Sequence, residues 1–425
     1  MTQAVLSPSP EYAIAPAGGG HWLSLERLCV YSIIFLMVYV ALAIYWVAES
    51  NGAVDPLGKP LSYDFLAFYT ASDLILGGDI QGLYNAEAFQ ARQREIIPRQ
   101  NSVLLWSYPP TYVPIIAPLA LLPYFPAFFV WTLATFAAFL VVIHRILPSK
   151  AALLVAAAYP ATFWNMTHGQ NGFLIAALMG AGLLALERRP KLAGLFIGLL
   201  TFKPQFGVLI PVALICARRW VTIAAAGVAS IALVGAATLV TGIEGWRLTH
   251  AAMSRIMTTV ELGLLAPERI ISLFAAARTL GIGIEAAYAV QIVSGLLAAV
   301  VIVKSWLGRA SHAAKAAVLI AGAPLATPYG FDYDLQIIAV AMAFLVKDAL
   351  ERGWLAFERE VLVFAWLAPL LATVLAVGIG FQAGFVGCLA MFAIAARRAL
   401  TVLDAGDQSQ SRSIATSGAS AGGIG

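Results

Sequence analysis

Charged residues are scarce in this chain. Aspartate, glutamate, lysine and arginine make up 11% of its 425 residues, whereas about a quarter is usual in soluble domains. Hydrophobic residues make up 61%. Because a soluble protein must cover its surface with polar groups, this composition excludes an ordinary soluble fold and predicts a protein embedded in lipid.

Cysteine is scarce too. Cys29, Cys216 and Cys388 all lie in apolar runs, and their spacing offers neither a metal-binding motif nor a disulfide framework. The net charge of +4 is small, and the basic residues form short clusters between apolar runs, as in the loops of membrane proteins. We therefore expect membrane lipids as partners and no nucleic acid.

Apolar runs dominate the rest of the chain. They lie near 28–48, 108–122, 124–147, 151–165, 170–187, 191–217, 220–241, 284–307, 312–326, 334–347, 359–378 and 380–396. A full transmembrane helix needs about 20 apolar residues. The runs predict an all-α, polytopic integral membrane protein with roughly 10–13 membrane segments. The shortest runs, and the one broken at Lys203-Pro204, are tolerated only where they line cavities inside the protein.

The remaining segments divide the chain into one membrane domain and two tails. Residues 1–24 and 401–425 have the composition of disordered segments, and 25–400 is the membrane domain. The first apolar run is too long for a cleavable signal, so it is expected to remain as a span. Within the domain, polar loops are predicted at 49–107 and 242–267. The first should be helical from Asp64 to Leu76 and from Ala86 to Ile97, with Asn85 as N-cap.

The lysine and arginine clusters predict the orientation. If every cluster faces the cytoplasm, both polar loops and all the polar turns lie on the outer face. This topology requires that 108–122 enter and leave on the same side. It also requires that 191–217 form a shallow hairpin with Lys203 near its tip.

Asp64 stands where the first loop leaves the membrane. A carboxylate beside a cavity can serve as a general base toward an acceptor hydroxyl. Aspartate is also a preferred N-cap, and on the local sequence alone capping of the following helix is the stronger interpretation. Further along the same helix, Tyr69 shares a face with Phe65 and Phe68 by its spacing.

His168, Gln170 and Asn171 form a polar turn between two apolar runs. They are either hydrogen-bonding groups that face a polar ligand or simple turn residues. Zinc binding by His168 is not expected, because no second histidine or cysteine is near in sequence. Tyr108, before two prolines, is either an interfacial anchor or a surface on which a sugar stacks.

Lys203 interrupts an apolar run and is followed by Pro204 and Gln205. A lysine at membrane depth is costly and marks a function or a partner, so we expect it to meet a phosphate; snorkelling to the interface is the alternative. Tyr329, Asp332 and Asp334 crowd one turn. That turn is either a solvated loop with aspartate caps or a contact for a sugar or a divalent cation.

Taken in order, these motifs resemble glycosyltransferase family 87, the polyprenyl-phosphate-dependent, mannosyltransferase-like membrane proteins of bacteria. The matching stretches are Asp64-Phe65-x-x-Phe68-Tyr69-x-Ala71, Gly78-x-x-x-x-Leu83-Tyr84, Tyr108-Pro109-Pro110, Gly169-Gln170-Asn171, Ala193-Gly194 with Lys203-Pro204-Gln205, and Pro328 with Tyr333-Asp334. The resemblance implies a GT-C helical bundle with its active site at the outer membrane face, in the bacterial inner membrane. It also implies Asp64 as the base, which reverses the local preference for a cap.

The function expected from these observations is hexosyl transfer, with mannose as the expected sugar. A polyprenyl-phosphate sugar is the donor, a lipid or glycan is the acceptor, and inversion is expected. No cofactor is required, although a divalent metal is compatible with the site. Two alternatives stay open: a transporter or flippase of a lipid-linked sugar, and a non-catalytic scaffold of the cell envelope.

Overall fold

A computed structural model describes residues 22–264 and 267–401. The first helices are α1 (Leu25–Glu49), α2 (Phe65–Leu76), α3 (Ile80–Tyr84), α4 (Ala86–Ile96), α5 (Val113–Ile116) and α6 (Tyr124–Ile146). The next are α7 (Lys150–Ala157), α8 (Pro160–His168), α9 (Gly172–Ala185), α10 (Pro190–Leu199), α11 (Ile210–Cys216) and α12 (Trp220–Glu261). The last are α13 (Leu273–Thr279), α14 (Ile284–Leu307), α15 (His312–Gly322), α16 (Gln336–Arg352), α17 (Glu358–Ile379) and α18 (Ala383–Leu400).

Six of these helices are long and apolar enough to cross a membrane: α1, α6, α12, α14, α17 and α18. Shorter apolar helical segments, such as α9, α15 and the segment Pro204–Cys216, lie between them. The described residues form no strand, only isolated β-bridges. The prediction of an all-α polytopic membrane protein is confirmed. The predicted disordered tails lie outside the described residues, except for Trp22–Ser24 and Thr401.

The core is built from short helices that are apolar on every side. The α9 sequence GFLIAALMGAGLLA has no polar face, and α9 packs against α6, α10 and α16. Alanine dominates α15, which is buried between α14, α16 and α18 because small side chains allow close approach. The longer helices α1 and α14 expose aliphatic side chains outward, as lipid contact requires.

The run at 191–217 reverses direction at Lys203. Gly194 of α10 faces Thr222 and Ala225 of α12, and Gly198, four residues on, faces Ala229 and Ser230. Helices α10 and α12 therefore run parallel and start on the same side of the bundle. The chain between them must return to that side, so α10 and α11 form the predicted hairpin. The 3₁₀ turns Leu200–Phe202 and Pro204–Phe206 flank Lys203 at the tip.

One end of the bundle, here called the basic end, collects charged side chains. Arg219 reaches Glu187 at 3.8 Å, and His312 contacts the Leu183 carbonyl at 2.8 Å. Nearby, the buried Arg398 donates to both oxygens of Glu358 and to Asp348. This network joins α16, α17 and α18. Because every charge in it is paired, the network needs no ligand to be stable.

The opposite end carries the first polar loop. Its helices agree with the sequence prediction: α2 covers Phe65–Leu76, and α4 begins after Asn85, whose side chain accepts from the amides of Glu87 and Ala88. Ser72 ties α2 to the segment 117–121, because it donates to the Ala117 carbonyl and accepts from the Ala120 amide.

The second predicted loop, 242–267, is helical as far as Glu261. Helix α12 bends at Gly242, which has φ 63° and ψ −179°, and then continues with Ala252, Ile256 and Val260 buried at a spacing of four. Thr249, on this second half, donates to the Tyr84 hydroxyl at 2.7 Å. The predicted loop is thus an amphipathic helix that packs on the first loop.

The close contact between α10 and α12 predicts that adding a side chain at Gly194 destabilises the protein. A Cβ at Gly194 would lie 2.5 Å from the Ala225 Cβ and 2.6 Å from the Thr222 carbonyl oxygen. Gly194→Ala should lower the free energy of unfolding by about 1–3 kcal/mol through overpacking. Gly227→Ala is the control, since a Cβ there meets nothing within 4 Å. Thermal unfolding in detergent tests both variants, and an unchanged Gly194→Ala protein would contradict the packing described.

Candidate active site

Asp64 and His168 form a hydrogen-bonded pair at the end of the bundle opposite the basic end. Asp64 precedes α2 and His168 ends α8, and the Nδ1–Oδ2 distance is 3.1 Å. The two side chains are 13% and 11% exposed. Asp64 makes no side-chain capping bond to α2. The cap interpretation favoured by the local sequence therefore fails, and the carboxylate is directed at the histidine.

Gly169 permits this approach. It has φ 67° and ends α8 in the left-handed conformation, which glycine adopts without strain. A Cβ there would lie 2.7 Å from the Phe65 Cβ and 2.9 Å from the Phe128 ring. Only glycine lets the end of α8 lie this close to the start of α2.

The electrostatic environment keeps Asp64 ionised. Burial alone would raise the pKa of its carboxyl, but the hydrogen bond and charge of His168, the charge of Arg269 and the amide of Gln170 outweigh burial. The pKa of Asp64 is held below its ordinary value. A carboxylate of this kind accepts a proton only from a group whose acidity rises during a reaction.

Lys203 and Asp334 form a second buried pair. The Lys203 ammonium lies 2.5 Å from Asp334 Oδ1 and donates to the Asn171 side-chain oxygen at 3.2 Å. The rings of Tyr333, Phe206 and Tyr108 surround the ammonium at 4.9–6.0 Å. Two of the three N–H donors of Lys203 are therefore taken by protein groups, and its charge is paired with that of Asp334.

Asp332 has a partner that the sequence analysis missed. Arg269 donates to both of its carboxylate oxygens, from Nε at 2.9 Å and from Nη2 at 3.0 Å. The Arg269 side chain is 21% exposed, whereas that of Lys203 is 5% exposed. Arg269 also acts electrostatically on Asp64. It is thus the more accessible of the two cations near the candidate base.

Asn165 and Gly172 hold these pairs together. The Asn165 amide donates to the Tyr333 carbonyl at 2.9 Å, and its side-chain oxygen accepts from the Gly172 amide. A Cβ at Gly172 would lie 2.5 Å from the Tyr333 carbonyl oxygen. The junction of α8 and α9 is therefore fixed directly against the turn Asp332–Leu335. Asn165, like Arg269, was not among the residues singled out from the sequence.

Of the other predicted site residues, some belong to this cluster of charged pairs and some lie apart from it. Tyr108 donates to the Gln170 side-chain oxygen at 3.4 Å, so both belong to the cluster. Tyr329 lies at its edge and packs edge-on against Phe331. The Tyr69 hydroxyl instead donates to the Leu122 carbonyl at 2.9 Å. Gln205 is half-buried in the hairpin tip and makes no hydrogen bond to a described residue.

Each acidic side chain of the cluster has its own basic partner. Asp64 faces His168, Asp332 faces Arg269, and Asp334 faces Lys203. Among the residues that the structure describes, no three histidine, cysteine, aspartate or glutamate side chains are grouped to hold a metal ion. What the cluster offers is one ionised carboxylate next to an imidazole, an accessible guanidinium and several hydrogen-bonding groups.

Comparison with known proteins identifies the family of the chain. No curated protein and no solved structure matches the chain. The model of glycosyltransferase family 87 matches residues 106–328, more than half of the chain. The match covers Tyr108, the turn at His168–Asn171, Lys203 and Arg269, while Asp64 lies before it. The chain belongs to glycosyltransferase family 87 and is a membrane glycosyltransferase.

Proposed function

We propose that this protein transfers a hexose, with mannose as the first candidate, from a polyprenyl-phosphate sugar to a lipid or glycan acceptor. The reaction takes place at the outer face of the bacterial inner membrane. The observation that carries the proposal is the largely buried, ionised Asp64, which is held by His168 and whose side chain makes no capping hydrogen bond. Family membership supports the reaction class, and the geometry supports the proposed residue roles.

The reaction proceeds as a single displacement. The acceptor oxygen attacks the anomeric carbon and forms a new C–O bond, while the bond from that carbon to the phosphate oxygen breaks. The polyprenyl phosphate leaves with the electron pair, and the hydroxyl proton passes to Asp64. Because the pKa of Asp64 is low, proton transfer follows bond formation, and the carboxylate also stabilises positive charge that develops on the sugar. One displacement inverts the anomeric configuration.

Neighbouring side chains position the reactants. His168 orients the Asp64 carboxylate through Nδ1. Tyr108 and Gln170, which share a hydrogen bond, offer an aromatic face and an amide to a sugar ring. Tyr329 and Asn171 border the same space. We assign the charge of Lys203 to Asp334, because the pair is short, buried and capped by Asn171.

The overall proposal is tested with purified protein and a panel of polyprenyl-phosphate hexoses, with the mannose donor first. Mass spectrometry should detect a hexose on a membrane-derived acceptor, and NMR should show inversion. If labelled lipid-linked sugar crossed proteoliposome membranes without chemical change, a flippase would replace the transferase.

Asp64→Asn should lower turnover about 100-fold or more, because the amide cannot accept the proton. Thermal unfolding and gel filtration should remain those of the wild type. Asp73→Asn is the matched control: Asp73 lies in the same loop but pairs with Arg92 at the surface, so its loss should leave turnover unchanged. Turnover retained in Asp64→Asn would remove Asp64 from the mechanism.

His168→Leu should move the acidic limb of the pH–rate profile to higher pH. His168 supplies the first of the interactions that lower the pKa of Asp64 against burial, so its removal lets burial raise that pKa. The base is then protonated, and activity lost, at a higher pH than in the wild type. A limb at the same pH in both proteins would show that His168 does not set the ionisation of Asp64.

Lys203→Met should lower the free energy of unfolding by about 3–5 kcal/mol, because Asp334 is left buried without its partner. Lys203→Met/Asp334→Asn removes both charges and should recover most of the stability. It should also recover turnover, since the pair is structural. A stable but inactive double variant would instead give Lys203 a direct role toward the donor phosphate.

A further inference from the structure

An apolar groove leads from the side of the bundle toward the candidate active site. It lies between α1, α8 and α17 and has a volume of about 430 Å³. Val38, Tyr39 and Leu42 line it from α1, Phe163 and Trp164 from α8, and Leu370 from α17. Every lining side chain is hydrophobic apart from the tyrosine hydroxyl, which donates to the Ala158 carbonyl.

The groove lies at the depth of lipid chains and opens toward them. The α1 residues that line it lie between positions 34 and 42, and α1 ends at Glu49. At 1.5 Å per residue they are roughly 10–22 Å from that end of the helix, a distance that falls within the hydrocarbon layer. Only 6% of the most apolar stretch of α1 is buried against the rest of the protein. A hydrocarbon chain can therefore reach the groove laterally from the bilayer.

The polar end of the groove is the candidate active site. The Trp164 ring, which lines the groove, lies 5.6 Å from the His168 ring, edge to face. His168 holds Asp64, and the segment that carries Arg269 packs on α17, the third wall of the groove. A lipid lying here would place its head group between the base and the guanidinium.

Arg269 has hydrogen-bonding capacity left for that head group. Its Nε and Nη2 donate to Asp332, whereas Nη1 makes no hydrogen bond to any described residue. A guanidinium with a free edge is well suited to a phosphate. A second groove, of about 380 Å³ between α10, α11 and α12, has Lys203 as its neighbouring cation, and that charge is taken by Asp334.

We infer that the lipid chain of the donor occupies the α1–α8–α17 groove and that its phosphate binds Arg269. The inference rests on the proposed function and makes it more specific, because it assigns the chain and the phosphate of the donor to named residues. The charge of Arg269 favours the donor as the occupant. The donor's lipid chain is joined to a phosphate, which a guanidinium at the head of the groove can bind, whereas a neutral acceptor lipid has no such group.

Binding of polyprenyl phosphate itself tests the groove without requiring turnover. Purified protein in nanodiscs is titrated with a fluorescent long-chain polyprenyl phosphate. Val38→Trp fills the groove and should weaken binding about tenfold, as expected when buried apolar contact is lost. Short-chain geranyl phosphate, which needs little of the groove, should bind Val38→Trp as it binds the wild type. Val40→Trp is the control, because Val40 lies on the same helix, is exposed as Val38 is (58% against 48%) and does not line the groove.

Arg269 is tested in the same assay. Arg269→Gln/Asp332→Asn removes both charges of the pair, so that no unpaired carboxylate remains. The double variant should bind both polyprenyl phosphate and geranyl phosphate about tenfold more weakly or worse, because a charge-assisted hydrogen bond to the phosphate is lost. The corresponding long-chain polyprenyl alcohol, which has the same chain but no phosphate, should bind this variant as it binds the wild type. Equal losses for alcohol and phosphate would contradict the assignment of the phosphate to Arg269.

The outcomes separate this inference from the proposed function. If Val38→Trp binds polyprenyl phosphate as Val40→Trp does, the donor chain lies elsewhere. If Val38→Trp weakens the binding of a diacyl lipid in the same assay and leaves that of polyprenyl phosphate unchanged, the groove holds the acceptor, and the inference is wrong. If the expected binding pattern holds but no panel donor is turned over, the transferase proposal fails while the lipid site stands.

Discussion

The structure depends on the burial of charge inside an apolar body. Short helices bring Asp64, Asp332 and Asp334 into one cluster, and each carboxylate is matched by a histidine, arginine or lysine from a distant part of the chain. An unpaired carboxylate at this depth would cost several kcal/mol, so the pairing determines how the helix ends assemble. The three pairs differ in how much of each side chain is exposed. The Lys203–Asp334 pair is almost fully buried, whereas Asp64, His168 and Arg269 keep 11–21% of their side-chain surface exposed.

Short helices are what make this cluster possible in a membrane protein. A segment such as α10 covers about half of the hydrocarbon layer at 1.5 Å per residue, so its end must be satisfied inside the protein. The ends of α8 and α10 and the start of α16 meet at this level. The long helices around them provide the lipid-facing surface. The body of the protein thus supplies the hydrogen-bond and charge partners that these polar chain ends could not find in lipid.

Much of the fold could be predicted from the sequence, because its signals are local. Asn85 marked the start of α4, and Lys203-Pro204 marked the hairpin tip. The helix after Gly242 differs from the predicted loop: its threonines, glutamates and arginines favour a loop, although Ala252, Ile256 and Val260 have a helical spacing. Arg269 was missed for another reason: its partner Asp332 lies 63 residues away, and no local pattern announces the contact. The pairing of Asp64 with His168, 104 residues apart, is equally invisible to local patterns, and only the resemblance to a family gave Asp64 its role.

The bend at Gly242 lets one helix pack both among the membrane segments and against the first polar loop. Its first half packs with α10 among the membrane segments, and its second half holds the hydroxyl of Tyr84 in the loop layer. The positive φ at the bend is a conformation that side chains with a Cβ avoid. A single residue thus sets the angle between the two halves of α12, and any residue that straightened the helix there would separate Thr249 from Tyr84 and its second half from the first loop.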